Sequence, residues 1–150
     1  MKMIRLLTTF KFLVFLLACN PAEGPNVQNI TSQYFQTYAE RADFDKFLDF
    51  YADTLILEDM MMGERIEGKE SLARFFDWEN QLFSLKDSVA LVVTDQIVEG
   101  HKSVTRGYFT PFTWAGTDVE PMHFTIILEF NDAGKIIKQT DWINYPAYMI

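Results

Sequence analysis

The strongest constraint on the fold is a long alternation of apolar and polar residues in the second half of the chain. It runs from Val89 to Tyr145 and is broken by glycine-containing turns. A period of two is typical of strands that bury one face, and short turns make neighbouring strands antiparallel. We expect a polar loop at 115–121 and a bulge or kink at Gly107. The expected strands cover residues 89–99, 103–114, 122–130 and 135–145.

The first half of the chain shows helical spacing instead. A first helix is expected to begin near 29–32, with Thr31 or Ser32 as its N-cap. A second helix is expected over 43–51 and a third over 70–82. Helices followed by an antiparallel meander predict an α+β fold in which the helices pack against the sheet. The apolar stripe of the first helix consists of Tyr34, Phe35, Tyr38 and Ala42.

A strand and a short return lie between the second and third helices. Leu55, Leu57 and Asp59 share one face of this strand, and Gly63 marks the turn that follows. A carboxylate on an apolar face is costly unless it is paired or protonated. Asp59 is therefore either a pocket residue or a residue at a strand end that reaches water or caps a turn.

The N-terminal segment has the features of a signal peptide. Basic residues flank the apolar run Phe12–Ala18, and no acidic residue precedes Glu23. Residues 16–19 read Leu-Leu-Ala-Cys and resemble a bacterial lipobox, in which cleavage occurs before the cysteine and the cysteine is lipidated. Cys19 is the only cysteine of the chain, so it has no disulfide partner within it. We therefore expect membrane attachment in the bacterial cell envelope, on the periplasmic or surface side, through acyl chains on Cys19.

These features predict three segments. Residues 1–18 are the signal peptide, residues 19–28 a flexible tether and residues 29–150 a single domain. The full chain has 13 Lys and Arg against 21 Asp and Glu, and removal of 1–18 takes away three of the basic residues, which leaves a side-chain charge of −11. Such acidity argues against nucleic-acid binding, which requires a basic surface.

Most familiar catalytic centres are not indicated by the sequence. His101 and His123 lack partners at metal-ligand spacing, so no metal is predicted. A GxSxG motif and a glycine-rich phosphate loop are also missing from the sequence, and no cofactor is predicted.

Carboxylates on apolar strand faces remain as candidates for chemistry. Asp59 is the first, and alternation places Asp141 with Ile137, Ile143 and Tyr145 in the last strand. An apolar wall raises the pKa of a carboxyl group and suits it to general acid–base work. Arg106 is a third candidate, either as a pocket residue or as the partner of Asp141 in an ion pair.

Two stretches carry a resemblance to a known family. YAD…ILED…GERIEGKESLARFF, within Tyr51–Phe76, and FNDAGKIIKQTDWINY, at Phe130–Tyr145, resemble SnoaL-like domains of the NTF2-like superfamily, to which ketosteroid isomerases also belong. The resemblance covers roughly Asn29 to Tyr145. It implies a cone, in which a curved sheet wraps around the helices and encloses a pocket. Relatives of this kind commonly dimerise through the sheet, so a homodimer is a further expectation.

Individual positions limit what the resemblance implies about activity. Asp59 matches the proton-shuttling aspartate of ketosteroid isomerases, but their oxyanion donors fall on Phe35 and Ile126, which cannot donate. Arg106 and Asp141 match two of the site positions of limonene-epoxide hydrolases. Tyr108 stands where those enzymes have an aspartate, two residues after the arginine. Neither specific reaction is therefore expected.

The resemblance and the residues together predict a pocket for a small, largely apolar molecule. The alternative is an isomerase, cyclase or hydrolase with Asp59 or Asp141 as the proton shuttle. His123 is expected to point away from the pocket, and the run 60–62 of three methionines is either a pocket lip or a hairpin edge covered by a dimer partner. The expected pocket residues are Tyr34, Tyr38, Trp78, Tyr108, Phe124, Ile126 and Tyr145.

Overall fold

The computed structural model describes residues 24–150 as three α-helices, nine strands and a C-terminal 3₁₀ helix. The signal peptide, Cys19 and the first part of the tether lie outside the described residues. The helices are α1 (Val27–Glu40), α2 (Phe44–Asp49), α3 (Lys69–Phe76) and the 3₁₀ helix Ala147–Met149. The strands are β1 (Tyr51–Asp59), β2 (Glu64–Glu67), β3 (Phe83–Leu85), β4 (Leu91–Glu99), β5 (Lys102–Phe109), β6 (Phe112–Trp114), β7 (Thr117–Val119), β8 (Met122–Phe130) and β9 (Ile136–Ile143).

Six strands form the main sheet, in the order β2-β1-β9-β8-β5-β4, and the short β3, β6 and β7 form a second sheet. The meander β4-β5-β8-β9 is antiparallel, as the alternation predicts. β1 departs from that prediction because it pairs in parallel with β9. A parallel neighbour needs a long connection, and here most of the domain lies between the two strands. This pairing places Asp59 directly beside Asp141.

The first helix begins earlier than expected. The side chain of Asn26 accepts a hydrogen bond of 3.0 Å from the backbone N–H of Asn29, so Asn26 is the N-cap and the helix starts at Val27. The end of the expected tether is therefore helical. Thr31 does not cap the helix and is fully buried on its inner face.

Several other boundaries differ from the pattern-based expectation. Tyr51 begins a strand rather than ending a helix, and α3 ends at Phe76 because Asp77 adopts the left-handed conformation, which cannot continue a right-handed helix. The expected strand 103–114 is divided between the two sheets, at Thr110 and Pro111, and the expected loop 115–121 contains β7.

Aromatic packing joins α1 and α2 to the inner face of the main sheet. Tyr34 stacks on Phe47 with ring centroids 5.3 Å apart, and Phe35 stacks on Phe124 of β8 at 6.1 Å. Leu55 and Leu57 of β1 are fully buried on the same face. Burying such side chains is the main favourable contribution to folding, at about 1.5–3 kcal/mol for each large apolar side chain.

Gly107 lies where β5 faces the aromatic core. A Cβ atom at this position would lie 2.2 Å from the carbonyl oxygen of Val92 and 2.6 Å from the ring of Phe124. The register of the β4–β5 pair shifts opposite this point, between Val93 and Asp95, which confirms an irregularity near Gly107 and places the extra residue in β4. The glycine therefore permits close packing of both neighbouring strands.

Candidate functional site

A cavity of about 320 Å³ opens between the C-terminal ends of α1 and α3. Its volume lies at the lower end of the range of roughly 300–1,000 Å³ that is usual for small-molecule sites. Its wall is mainly aromatic and apolar, and its inner part is bordered by the buried residues Ala90, Asp141 and Ile143. The phenylalanine and tryptophan side chains of the wall are Phe75, Phe76, Phe83, Phe109, Phe112 and Trp114.

Asp141 is the one carboxylate among the residues that border the inner part of this cavity. It lies on β9 between Asp59 of β1 and Ile126 of β8, and it is only 5% exposed. The Nε2 atom of Gln139 donates to both carboxylate oxygens, at 2.9 and 3.0 Å. Asp141 is therefore held by one amide group on the protein side, while the same residue borders the open cavity.

Gln139 connects Asp141 to two buried tyrosines. Its Oε1 atom lies 2.6 Å from the hydroxyl oxygen of Tyr51 and 3.1 Å from that of Tyr34, and the two hydroxyl oxygens lie 2.8 Å apart. The two phenol protons serve these three contacts, and at least one of them is donated to Oε1. Because Oε1 accepts a proton from a phenol, the amide nitrogen faces Asp141. Gln139 was not predicted as a site residue, although it occupies the same alternating series as Asp141.

Burial raises the pKa of Asp141 from 3.8 to about 7, and the negative charge of Asp59 contributes in the same direction. The hydrogen bond from Gln139 opposes the shift but does not cancel it. Near neutral pH the carboxyl group therefore exists in both forms. Its protonated form can donate a hydrogen bond into the cavity, and its ionised form can accept a proton. Burial also raises the pKa of Tyr38, so this phenol stays protonated.

Asp59 has a different set of partners from Asp141. Its Oδ1 atom accepts hydrogen bonds of 2.9 Å from the backbone N–H groups of Met61 and Met62, and its Oδ2 atom accepts one of 2.5 Å from the hydroxyl of Tyr145. These contacts make Asp59 a cap of the β1–β2 turn. Asp59 is buried and does not border the cavity. Its partner Tyr145 does border the cavity. The turn-capping alternative is thus the one that the geometry supports.

The expectation that Arg106 joins the two aspartates is wrong. Thr105 and Gly107 point inward from β5, so Arg106 and Tyr108 lie on the outer face of the sheet. There they border an open groove together with His123 and Trp142, on the side opposite to Asp141. The outward direction expected for His123 is confirmed, since its side chain is exposed.

A bulge also changes the expected face of one residue in β9. The register of the β8–β9 pair shifts between Glu129 and Phe130, and as a result Ile136 is buried while Ile137 is 38% exposed. Asp141 therefore shares the inner face with Gln139, Ile143 and Tyr145, and not with Ile137.

The predicted pocket residues separate into wall and core. Tyr38 and Tyr145 border the cavity. Tyr34, Phe124 and Ile126 are buried in the core behind the wall, and Tyr108 lies on the outer face. Trp78 supports the wall, because its ring stacks on Tyr38 with centroids 6.2 Å apart.

The mouth of the cavity contains polar residues that sequence reasoning missed. Arg74 and Asp77 from the end of α3 are exposed there, and half-buried Arg41 follows α1. Within residues 24–150, no group of three or more His, Cys, Asp or Glu side chains is arranged to hold a metal ion. Among the same residues, no helix has the length and apolar character that crossing a bilayer requires.

The comparison with protein families gives one match. A family model described as a SnoaL-like domain matches residues 31–139, which include most of α1, the meander as far as Gln139, and the connecting elements. No protein of curated function matches the chain significantly in sequence.

Solved structures with the same architecture include three informative examples. A candidate SnoaL-like polyketide cyclase from Shewanella putrefaciens has a TM-score of 0.67 at 17% identity, over 82% of this chain and 93% of that one. A candidate ketosteroid isomerase from Kribbella flavida has a TM-score of 0.61 at 22% identity, over 80% and 78%. An NTF2-like protein of unknown function from Burkholderia xenovorans has a TM-score of 0.59 at 22% identity, over 81% and 88%. At these identities the similarity establishes the fold, and the expected α+β cone is confirmed.

We predict that Asp141→Asn raises stability at alkaline pH. The folded-state pKa of Asp141 lies above its ordinary value of 3.8, so the folded state binds the proton more tightly than the unfolded state. Stability therefore falls as the pH rises from about 4 to 7, and the full penalty persists above pH 7. The asparagine is neutral and still offers an oxygen to Gln139. At pH 8 the variant is expected to be more stable by on the order of 2–4 kcal/mol, and near pH 3 the two proteins should agree.

Urea unfolding of both proteins at pH 3 to 8 measures this difference. Asp95→Asn is the matched control, since it removes an exposed carboxylate from the same sheet. A pH-independent difference between the wild type and Asp141→Asn would show that Asp141 titrates normally.

Proposed function

The chain belongs to the SnoaL-like domain family, and we propose that this domain binds a small, largely apolar molecule in the cavity bordered by Tyr38, Asp141 and Tyr145. The observation that carries the proposal is an aromatic cavity with a single buried, protonatable carboxyl group at its inner wall. Apolar walls reward burial of a ligand by roughly 25 cal/mol for each Å² removed from water. A few polar groups in such a wall set the orientation of the ligand.

The polar groups of the inner wall favour a ligand that carries a hydrogen-bond acceptor. Tyr38 stays a phenol, and the protonated form of Asp141 has its donor directed away from Gln139, whose amide already occupies the protein side. A carbonyl or ether oxygen placed against Asp141 would complete its hydrogen bonding. An apolar body would then fill the rest of the cavity.

General acid–base catalysis is the second candidate function, and Asp141 is the observation that favours it. A pKa of about 7 allows one carboxyl group to give and take protons at neutral pH. With a carbonyl oxygen or an adjacent carbon beside Asp141, the residue would support the proton transfers of an isomerase or cyclase. The similar structures include candidate proteins of both kinds, and their reactions are extended to this chain only as part of the proposal.

Filling the cavity should abolish ligand binding. Ala90 borders the inner cavity and is 5% exposed, so Ala90→Phe places a ring in the space that a ligand would occupy. We expect the affinity for 2-naphthalenemethanol, measured by titration calorimetry on the purified chain, to fall at least tenfold. Ala133→Phe is the control, because Ala133 is exposed in the β8–β9 turn and does not border the cavity. Equal affinities of the two variants would contradict the proposed site.

Proton exchange separates the catalytic candidate from simple binding. In D₂O at pH 7, the methyl protons next to the carbonyl of 2-acetylnaphthalene should exchange faster with wild-type protein than in buffer. Asp141→Asn should return the rate to that of buffer while the probe still binds. NMR measures the exchange. If the wild type and Asp141→Asn give the same rate, Asp141 does not act as a proton shuttle toward ketones of this kind.

We further propose that Cys19 anchors the domain to a membrane of the bacterial envelope. The lipobox-like residues Leu16–Cys19 support this proposal. The tether would join α1 at Val27, whereas the cavity borders Tyr38 and Arg41 at the other end of this 14-residue helix. The helix is about 21 Å long, so the cavity would open away from the bilayer.

Fractionation tests the anchor directly. In a bacterial host, the wild-type chain should be recovered with membranes, and Cys19→Ser should be recovered in the soluble fraction. Mass spectrometry of the N-terminal peptide should show acyl chains on Cys19. An unmodified Cys19 in membrane-free protein would contradict the proposal.

A further inference from the structure

Arg41 occupies an unusual position at the mouth of the cavity. It follows the last turn of α1 with φ 47° and ψ 33°, a left-handed conformation that L-residues other than asparagine and aspartate adopt rarely. Glycine is the common choice at such helix ends. Because backbone strain of this kind often accompanies function, an arginine at this position calls for a reason beyond ending the helix.

Two aromatic rings hold the guanidinium of Arg41 in place. Its Cζ atom lies 4.4 Å from the ring centre of Phe83 and 5.0 Å from that of Trp78. Both distances fall within the range of cation–π attraction. Phe83 itself borders the cavity, so the guanidinium is presented at the cavity wall and is not directed into bulk solvent.

The hydrogen-bond donors of Arg41 have no anionic partner within residues 24–150. No carboxylate oxygen of this part of the chain lies within 4.0 Å of its nitrogens, and its side chain makes no hydrogen bond there. The other cation of the mouth differs, since Arg74 bonds to Glu70 at 2.9 Å and to Ser71 at 3.1 Å. Burial lowers the pKa of Arg41, and the charge of Asp77 nearby opposes this shift without forming an ion pair. A half-buried guanidinium with five unused donors is a ready binding group for a carboxylate.

Apart from Arg74, whose charge is paired with that of Glu70, the remainder of the mouth is unfavourable to an anion. Asp77 is exposed there, and the C-terminal ends of α1 and α3 both point their carbonyl groups toward it. Arg41 thus supplies positive charge at a position where the backbone and the chain's overall charge of −8 are unfavourable to anions. A favourable interaction with the carbonyl groups at the end of α1 explains why a cation lies near this position. It does not explain why two aromatic rings hold the guanidinium against the cavity.

We propose that the ligand is an amphipathic monocarboxylate, whose carboxylate group binds Arg41 while its apolar body fills the cavity. This inference rests on the proposed binding function and adds the chemical class of the ligand. The inner wall is compatible with such a ligand, because Asp141 is largely protonated below pH 7 and does not repel it. The two ends of the cavity would then recognise different parts of one molecule.

A matched pair of probes tests the inference. At pH 6, 2-naphthoate is ionised, whereas 2-naphthalenemethanol has the same ring system and no charge. The wild-type chain is expected to bind the naphthoate about tenfold more tightly than the alcohol, as a charge-assisted pair with arginine allows. Arg41→Gln should reduce this preference to about twofold or less while the affinity for the alcohol is unchanged. Titration calorimetry of the purified chain measures all four affinities.

Two further variants keep the test decisive. Arg106→Gln removes the same charge from the outer face of the sheet and should retain the tenfold preference. Arg41→Gly relieves the left-handed strain, so it should fold at least as well as the wild type and should lose the preference as Arg41→Gln does.

The outcomes separate this inference from the proposed function. If the wild type binds both probes equally well, the carboxylate inference is overturned and ligand binding stands. If the preference falls equally in Arg41→Gln and Arg106→Gln, overall charge explains it, and the role of Arg41 is overturned. If neither probe binds, the proposed binding function fails, and this inference fails with it.

Discussion

The hydrogen bond between the amide of Gln139 and the carboxyl group of Asp141 is the contact on which the candidate site depends. Two phenols fix the other end of the same amide, and all four side chains are buried. Such a network is stable only when each member has a partner, because an unpaired polar group in a dry interior costs about 1–3 kcal/mol. The cost of displacing any one member keeps the others in place. Asp141 is therefore presented to the cavity in a fixed orientation.

The parallel pairing of β1 with β9 gives the two aspartates different environments. It brings Asp59 and Asp141 side by side, where two ionised carboxylates would repel each other. Asp59 accepts hydrogen bonds from two backbone N–H groups and a phenol, so both of its carboxylate oxygens have partners in the protein. Asp141 has one amide donor, and its pKa is raised. Neighbouring residues of the same type thus take on different tasks, one in the architecture of a turn and the other at the cavity wall.

The sequence predicted the inner face of β9 and the layer order because alternation reports burial directly. It misplaced Arg106, because alternation along one continuous strand over 103–114 puts Arg106 on the same face as Phe112, which is buried. The chain in fact changes sheets at Thr110, so the phase of the alternation is lost. Ile137 was misplaced for a related reason, because a bulge inserts one residue without any glycine to mark it. Arg41 was not found because its role depends on the distant ring of Phe83 and on a backbone conformation that no local pattern shows.

Two residues of the cavity are poor choices for stability alone. An asparagine in place of Asp141 would keep an oxygen for Gln139 without burying a group that ionises near neutral pH, and a glycine in place of Arg41 would adopt the left-handed conformation without strain. Stability is usually sacrificed where a site requires it. One of these residues lies at the inner wall of the cavity and the other at its mouth. The costs therefore coincide with the two points at which a ligand spanning the cavity would be held, which is the distribution expected of a binding site and not of a packing defect.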